Sequence, residues 1–307
     1  QKVVEHWFSW LALSDLCPLP DDLFFATKDR SAEGITLHCV NAGPLLREGM
    51  AKFSTVIAFS ATMKPFSYHK SMIGVDEDRI VTKEYSSPFP AMNRRIIVIP
   101  QVSTAWRDRP TSLPKIVEVI DRIIKLRRGN YIAFFPSFEL MRQAIPLINA
   151  EGFEVMEQPP SASPTWVQDV LGRLKKKRNI LLMAVQGGML SEGIDLPGDQ
   201  LIGAFIVGPA LPMVTPEREE RRKMLGAGGE DGFAKAYGYP AMARSVQSAG
   251  RVIRSAKDRG VIILMDPRFL KEPYREALPA DWLGDDGSAS HLVSTSILAD
   301  VRDFWAG

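Results

Sequence analysis

Gln247, Arg251 and Arg254 stand four and three residues apart in the run Gln247-Ser248-Ala249-Gly250-Arg251-Val252-Ile253-Arg254. On one continuous helix these spacings put all three on a single face, aimed at a common target. A pair of guanidinium forks suits an oxygen-rich anion, and phosphoryl transfer develops its charge on oxygens that such a pair can stabilise. Gly250 costs a helix about 1 kcal/mol relative to alanine, which fits a close approach from outside. A polar helix face making surface ion pairs would show the same residues.

A second segment, Gln186-Gly187-Gly188-Met189-Leu190-Ser191-Glu192-Gly193-Ile194-Asp195-Leu196-Pro197-Gly198, carries four glycines and a proline in thirteen residues. It follows an apolar run that reads as a strand, and loops at the carboxyl ends of parallel strands are where ligands bind. Its backbone amides can meet phosphates, while Glu192 and Asp195 can hold arginines or a ribose hydroxyl. A purely structural turn is the alternative, though it seldom needs Ser, Glu and Asp interleaved among glycines. A third segment, Asn130-Tyr131-Ile132-Ala133-Phe134-Phe135-Pro136-Ser137-Phe138, is a strand pattern ending at a residue able to cap a helix. Ser137 at a helix start can meet a backbone phosphate and Phe138 can stack on a base, whereas Phe134 and Phe135 read as core.

The elements around these segments alternate. Ile35 to Val40 and Thr55 to Phe59 read as strands, the second buried, with Pro44 to Lys52 a helix opened by its proline. After an irregular connector through Ser86 to Pro90, the pattern predicts strands at 95–99, 131–135, 153–156, 180–185, 201–207 and 260–265. Helices are predicted at 113–128, 138–150, 164–177 and 241–254, with a helical, Gly-rich insertion reaching Gly238. Nearly continuous apolar strands, each followed by an amphipathic helix, imply an α/β, RecA-like parallel sheet with helices on both faces. The boundary falls in the connector, giving units 1–90 and 91–307.

Composition narrows the classes. With 45% hydrophobic and 24% charged residues the chain has an ordinary globular make-up, and it holds no run of eighteen apolar residues that would suggest a membrane span. Its start has neither the basic region nor the cleavage site of an export signal, so a cytoplasmic location is expected. The two cysteines, Cys17 and Cys39, form no CxxC or Cys/His cluster, so neither zinc nor iron-sulfur ligation by this chain has support, and both read as buried thiols. A net charge of +2 does not by itself imply nucleic acid, and the basic run Lys175 to Arg178 reads as a solvated helix end.

The three segments, in this order and with Phe59-Ser60-Ala61-Thr62-Met63-Lys64-Pro65-Phe66 ahead of them, resemble motifs of the XPD and DinG family of superfamily 2 DNA helicases. Ser60-Ala61-Thr62 resembles motif III, Tyr131 to Phe138 motif IV, Gly187 to Gly198 motif V and Gln247 to Arg254 motif VI. The similarity runs from about Gly34 to Phe269 and includes Asp266-Pro267-Arg268-Phe269. The resemblance implies an ATP-dependent DNA helicase, moving 5′ to 3′ on single-stranded or forked DNA, of which this chain is the second motor domain preceded by a remnant of the first. It implies that Arg251 and Arg254, beside Gln247, reach the γ-phosphate of ATP, and that Glu192, Gly193, Asp195 and Gly250 face the nucleotide. Ser137, Phe138, Gly187, Gly188 and Ser191 would line the DNA track, and Ser60 and Thr62 would link hydrolysis to domain movement.

Two motifs of that family are missing: no GxxxxGK[ST] phosphate loop and no Asp-Glu-x-His box occurs. Asp76-Glu77-Asp78 does not replace the box, because no apolar strand precedes it. The expectation is therefore a fragment that begins inside its parent, with ATP and Mg²⁺ held mainly by the parent's N-terminal helicase domain and with no turnover alone. A parent of the DinG type would be nucleoid-associated, and whether it has an iron-sulfur cluster is left open. Two other readings remain: a non-catalytic RecA-like module that binds nucleic acid or protein, and a different phosphate-handling enzyme on the same scaffold. The second would need a base or nucleophile in the loop cluster, and none of His6, His38, His69 and His291 falls there.

Overall fold

Each strand of a sheet sends alternate side chains to opposite faces, and in this chain both faces are apolar. The computed structural model describes residues 23–28, 34–75, 79–176, 178–190, 196–229 and 231–307. The chain forms two compact units, one made of residues up to 58, 66–81 and 213–236, the other of 59–65, 82–212 and 237–307.

In the first unit β1 (Phe24–Lys28) and β2 (Ile35–Cys39) form an antiparallel pair, with Phe24 opposite Cys39 and Lys28 opposite Ile35. His38 stacks on Phe25 with ring centroids 4.7 Å apart. Cys39 is exposed, not buried as its residue type suggests, because it ends a short two-stranded ribbon on the solvent side. Helix α1 (Gly43–Met50) is followed by α2 (Phe66–Ile73). The two meet where Gly43 approaches Gly74: a side-chain carbon on Gly43 would lie 2.9 Å from the Gly74 Cα, so the contact needs glycine. The expected buried strand Thr55 to Phe59 does not form. It is extended and exposed, with Ile57 at 81% and Phe59 at 90%, because no strand among the described residues pairs with it.

The second unit is built on β3 (Arg94–Val98), α3 (Arg109–Ile124), β4 (Tyr131–Phe135), α4 (Phe138–Ala144), β5 (Glu154–Glu157), α5 (Pro164–Lys176), β6 (Ile180–Val185) and β7 (Gly203–Ile206). The chain then contributes α6 (Pro216–Leu225) to the first unit and continues with α7 (Tyr239–Ala249), β8 (Gly260–Leu264) and α8 (Ile297–Ala306). The strands form one parallel sheet in the order β3-β8-β7-β4-β6-β5. Ile132 and Phe134 face Val170 and Leu174 of α5 and Met242 and Val246 of α7. Tyr131, Ala133 and Phe135 face Ile116 and Ile120 of α3, Met141 of α4 and Val301 of α8. Phe134 and Phe135 are thus both fully buried, one in each layer. Lys175 and Lys176 end α5 exposed, and Arg178 just beyond pairs with Asp199 at 2.7 Å.

Candidate nucleotide and nucleic-acid site

Because all six strands run the same way, the loops that leave β3, β4, β6 and β7 emerge along one edge of the sheet. At the end of β4, Ser137 is extended (φ −156°) and its hydroxyl accepts the Leu140 N–H at 3.3 Å, which caps α4 as the sequence predicts. Phe138 is half-buried and packs on the apolar layer around Met141.

The Gly-rich segment starts at this same edge. Gln186, buried at the end of β6, is held by its neighbours: its side-chain N–H donates to the Gly208 carbonyl at 2.8 Å, and its Oε1 lies 2.8 Å from the Ser245 hydroxyl of α7. One amide thereby joins the ends of β6 and β7 to the helix that precedes β8. Gly187 takes φ +73°, and a side chain there would stand 3.0 Å from Cδ of Arg244, which lies across it. Gly188 is backed by the buried Gln158, whose Oε1 accepts the Val185 N–H at 3.1 Å. Arg244, Gln158 and Ser245 escape a motif search, since only their position across the loop marks them.

Leu190 and Leu196 are both buried and anchor the segment from within. Ser191, Glu192, Gly193 and Asp195 lie outside the described residues. Gly198 stands at the opposite, amino edge of the sheet, ahead of β7.

The arginines are at that amino edge, and their geometry corrects the helical reading. Helix α7 ends at Ala249 with Gly250 as its cap, so Gln247 and Arg254 do not share a helix face. Arg251 lies in the turn after the cap and is half-buried, and Arg254 is exposed on irregular backbone. Between them Val252 and Ile253 are buried in the core, which sets both arginines at the surface around an apolar anchor. A side-chain carbon on the exposed Gly250 would come no closer than 3.4 Å to any described atom, so the fold does not itself require glycine there.

What fixes the Arg254 backbone is Asp258, 1% exposed. One carboxylate oxygen accepts the N–H groups of Arg254 at 2.6 Å and Ser255 at 2.8 Å; the other accepts the Ser255 hydroxyl at 2.6 Å and the Gly198 N–H at 2.9 Å. Burial alone would raise the Asp258 pKa, but these bonds to Ser255, Arg254 and Gly198 outweigh it and hold the carboxyl below its ordinary range. The end of the Gly-rich segment and the end of the arginine segment are thus tied to one anion.

A second buried carboxylate organises the loop after β3. Asp266 accepts the N–H and hydroxyl of Thr104 at 2.8 and 2.9 Å and pairs with the Arg268 guanidinium at 2.7 Å. Burial would again raise its pKa, and the hydrogen bond and charge of Arg268 bring it below the usual value. Ser60, exposed, and Thr62, half-buried, form a local turn in which the Thr62 N–H donates to the Ser60 hydroxyl at 3.2 Å.

Six parallel strands in this order, covered on both faces by helices, form a RecA-like domain of the helicase C-terminal type. The helicase C-terminal domain model matches residues 120–284, more than half of the chain, and the chain belongs to that family. It is 28% identical over 252 residues to a probable ATP-dependent helicase of Methanocaldococcus jannaschii, covering 75% of this chain and 36% of that protein. It is 26% identical over 231 residues to the ATP-dependent DNA helicase DinG of Photobacterium profundum, covering 72% and 33%. A solved structure of XPD in its apo form shares the fold with a TM-score of 0.63 at 17% identity, over 89% of this chain and 55% of that one. The chain spans about a third of the length of the curated relatives it matches. No helix among the described residues is long and apolar enough to cross a membrane.

Proposed function

We propose that this chain is the second motor domain of an ATP-dependent DNA helicase, and that Arg251 and Arg254 act on the phosphates of ATP held by an N-terminal helicase domain of the same protein. The observation that carries this reading is the arginine segment itself: two surface guanidinium groups flank a buried Val-Ile anchor, and a charged carboxylate fixes the backbone of the second. Cations carried on a fixed backbone can stabilise charge in a transition state with little reorganisation at the moment of reaction. Gln247, in the last turn of α7, acts with them, and Gly250, Glu192, Gly193 and Asp195 take part in meeting the nucleotide. Mg²⁺ would be held mainly by that N-terminal domain; in this one, Asp258 and Asp266 are committed to internal partners.

Ser137, Phe138, Gly187 and Gly188, at the carboxyl edge, belong together with Ser191 to the single-stranded DNA track. The Gly-rich segment, with Ser60 and Thr62, couples hydrolysis to movement along DNA, in the 5′ to 3′ direction. Alone, the domain does not turn over ATP. The test is Arg254→Ala in the full-length protein. An arginine finger contributes about 10³ to 10⁵ in rate, so DNA-stimulated hydrolysis falls to near background while ATP binding stays within a few-fold of wild type. Wild-type turnover in that variant overturns the assignment.

A further inference from the structure

The loop from β3 to α3 presents a feature that none of the helicase motifs includes. Trp106 is 69% exposed. A single exposed apolar side chain is ordinary on a protein surface, but this one stands on a loop whose neighbours are fixed. Val102 and Thr104 are buried, and Thr104 is bonded through both its N–H and its hydroxyl to Asp266. The Ser103 N–H donates to the Ser112 hydroxyl at 3.0 Å, and the Ala105 N–H to the Ser103 hydroxyl at 3.2 Å. Trp106 then opens a tight helical turn that runs directly into α3.

The ring is also placed beside other groups. The Arg109 guanidinium stands 5.0 Å from the ring centroid, with its Nε donating to the Thr104 carbonyl at 3.1 Å. Next to the ring is a cavity of about 320 Å³ lined by Trp106, Arg109, Pro110 and Leu113 on one side and by Glu139 and Gln143 of α4 on the other. Its volume lies at the small end of ligand sites, which suits one flat ring with its sugar. Its chemistry is an aromatic wall, an apolar floor, a cation, and a rim that can both donate and accept hydrogen bonds. The cavity opens at the carboxyl edge of the sheet, next to the helix that Ser137 caps.

We infer that Trp106 is a stacking platform for one base of single-stranded DNA, with Arg109 meeting the adjacent phosphate and Glu139 and Gln143 meeting the edge of the base. Stacking on an aromatic face tolerates any base, as a motor that moves along a strand requires, and a guanidinium against an indole ring holds that ring in one orientation. Phe138, the aromatic that the sequence offers for this task, is half-buried in the core layer, whereas Trp106 has its ring in solvent. The inference rests on the DNA track proposed above.

The experiment measures binding of the full-length protein, as wild type, Trp106→Ala and Trp106→Phe, to a thymidine oligonucleotide of about 16 residues and to the same backbone with abasic sites, across a salt series. Wild type binds the base-bearing strand more tightly than the abasic one. Trp106→Ala weakens the base-bearing strand by about 5- to 150-fold, leaves the abasic strand and the salt slope unchanged, and melts as wild type does. Trp106→Phe recovers most of the loss. If Trp106→Ala binds both strands as wild type does, the platform is overturned and the track stands. If wild type shows no salt-dependent binding to either strand, the track itself fails and the platform with it.

Discussion

Replacing Asp258 by Asn removes one charge and changes almost no volume, so its effect can be worked out from the four bonds the carboxylate accepts. If the amide oxygen takes the place that receives the Arg254 and Ser255 N–H groups, the amide NH₂ points at the Gly198 N–H, donor against donor, where a 2.9 Å bond had been. The Ser255 hydroxyl can turn and accept, so it loses little. A buried N–H left without an acceptor costs about 1–3 kcal/mol, and losing charge assistance in the remaining bonds adds roughly 1 kcal/mol. At about 2–4 °C per kcal/mol for a domain of this size, the melting temperature falls by about 5 to 15 °C.

The pH dependence follows from the depressed pKa. A carboxyl held below its ordinary value contributes stability that is fully present above the unfolded pKa, near 3.9, and is lost as pH falls through the folded pKa. The gap between wild type and Asp258→Asn should therefore be constant from pH 8 to pH 5 and close only in more acid solution. Thermal melts by circular dichroism across this range measure it, and amide exchange at Arg254 and Ser255 should quicken in the variant. Equal melting temperatures at pH 7, or a gap that narrows already between pH 7 and 6, would refute the reasoning.

Two further substitutions test how the carboxyl edge is held together. At Gly208 (φ +73°) a methyl group would lie 2.0 Å from the Thr104 hydroxyl, which Asp266 and Arg268 hold in place, so Gly208→Ala should cost more than about 2 kcal/mol, read as a lower urea midpoint with an unchanged slope. Gln186→Leu leaves the buried Gly208 carbonyl without its donor and should cost about 1–3 kcal/mol. Adding Ser245→Ala to it should cost less than the two single changes together, because the two side chains share one bond; strict additivity in denaturant melts would count against the network.

The sheet was legible in the sequence because its strands are buried on both sides: β4 and β6 have the bounds that their apolar runs indicate. Thr55 to Phe59 has the same apolar character and is no strand, since periodicity reports what a segment could bury and not whether neighbours are present. The end of α7 was misplaced because Val252 and Ile253 continue the apolar spacing past Gly250, while the chain has already left the helix to meet Asp258. The three segments that could do chemistry were visible as residue types at given spacings. The side chains that hold them were not. Asp258 joins backbone groups from Gly198 and Arg254, and Gln186 joins Gly208 and Ser245, so their roles exist only once distant parts of the chain have met. Trp106 left no periodic trace either, because it sits on a loop.

The strand order also bears on how the chain is made. Among the described strands β3 lies at the edge of the sheet next to β8, and β8 follows more than 160 residues later. At translation rates of about 5–20 residues per second, β3 waits roughly ten to thirty seconds before its partner is synthesised. Throughout that time Ile96-Ile97-Val98-Ile99 is an unpaired apolar segment of the kind that seeds aggregation. Arg94 and Arg95 stand directly before it as charged gatekeepers, and their acidic partners, Asp281 and Asp300, come later still than β8. By that rule the two arginines would oppose aggregation of the nascent strand first and only afterwards fasten the finished edge.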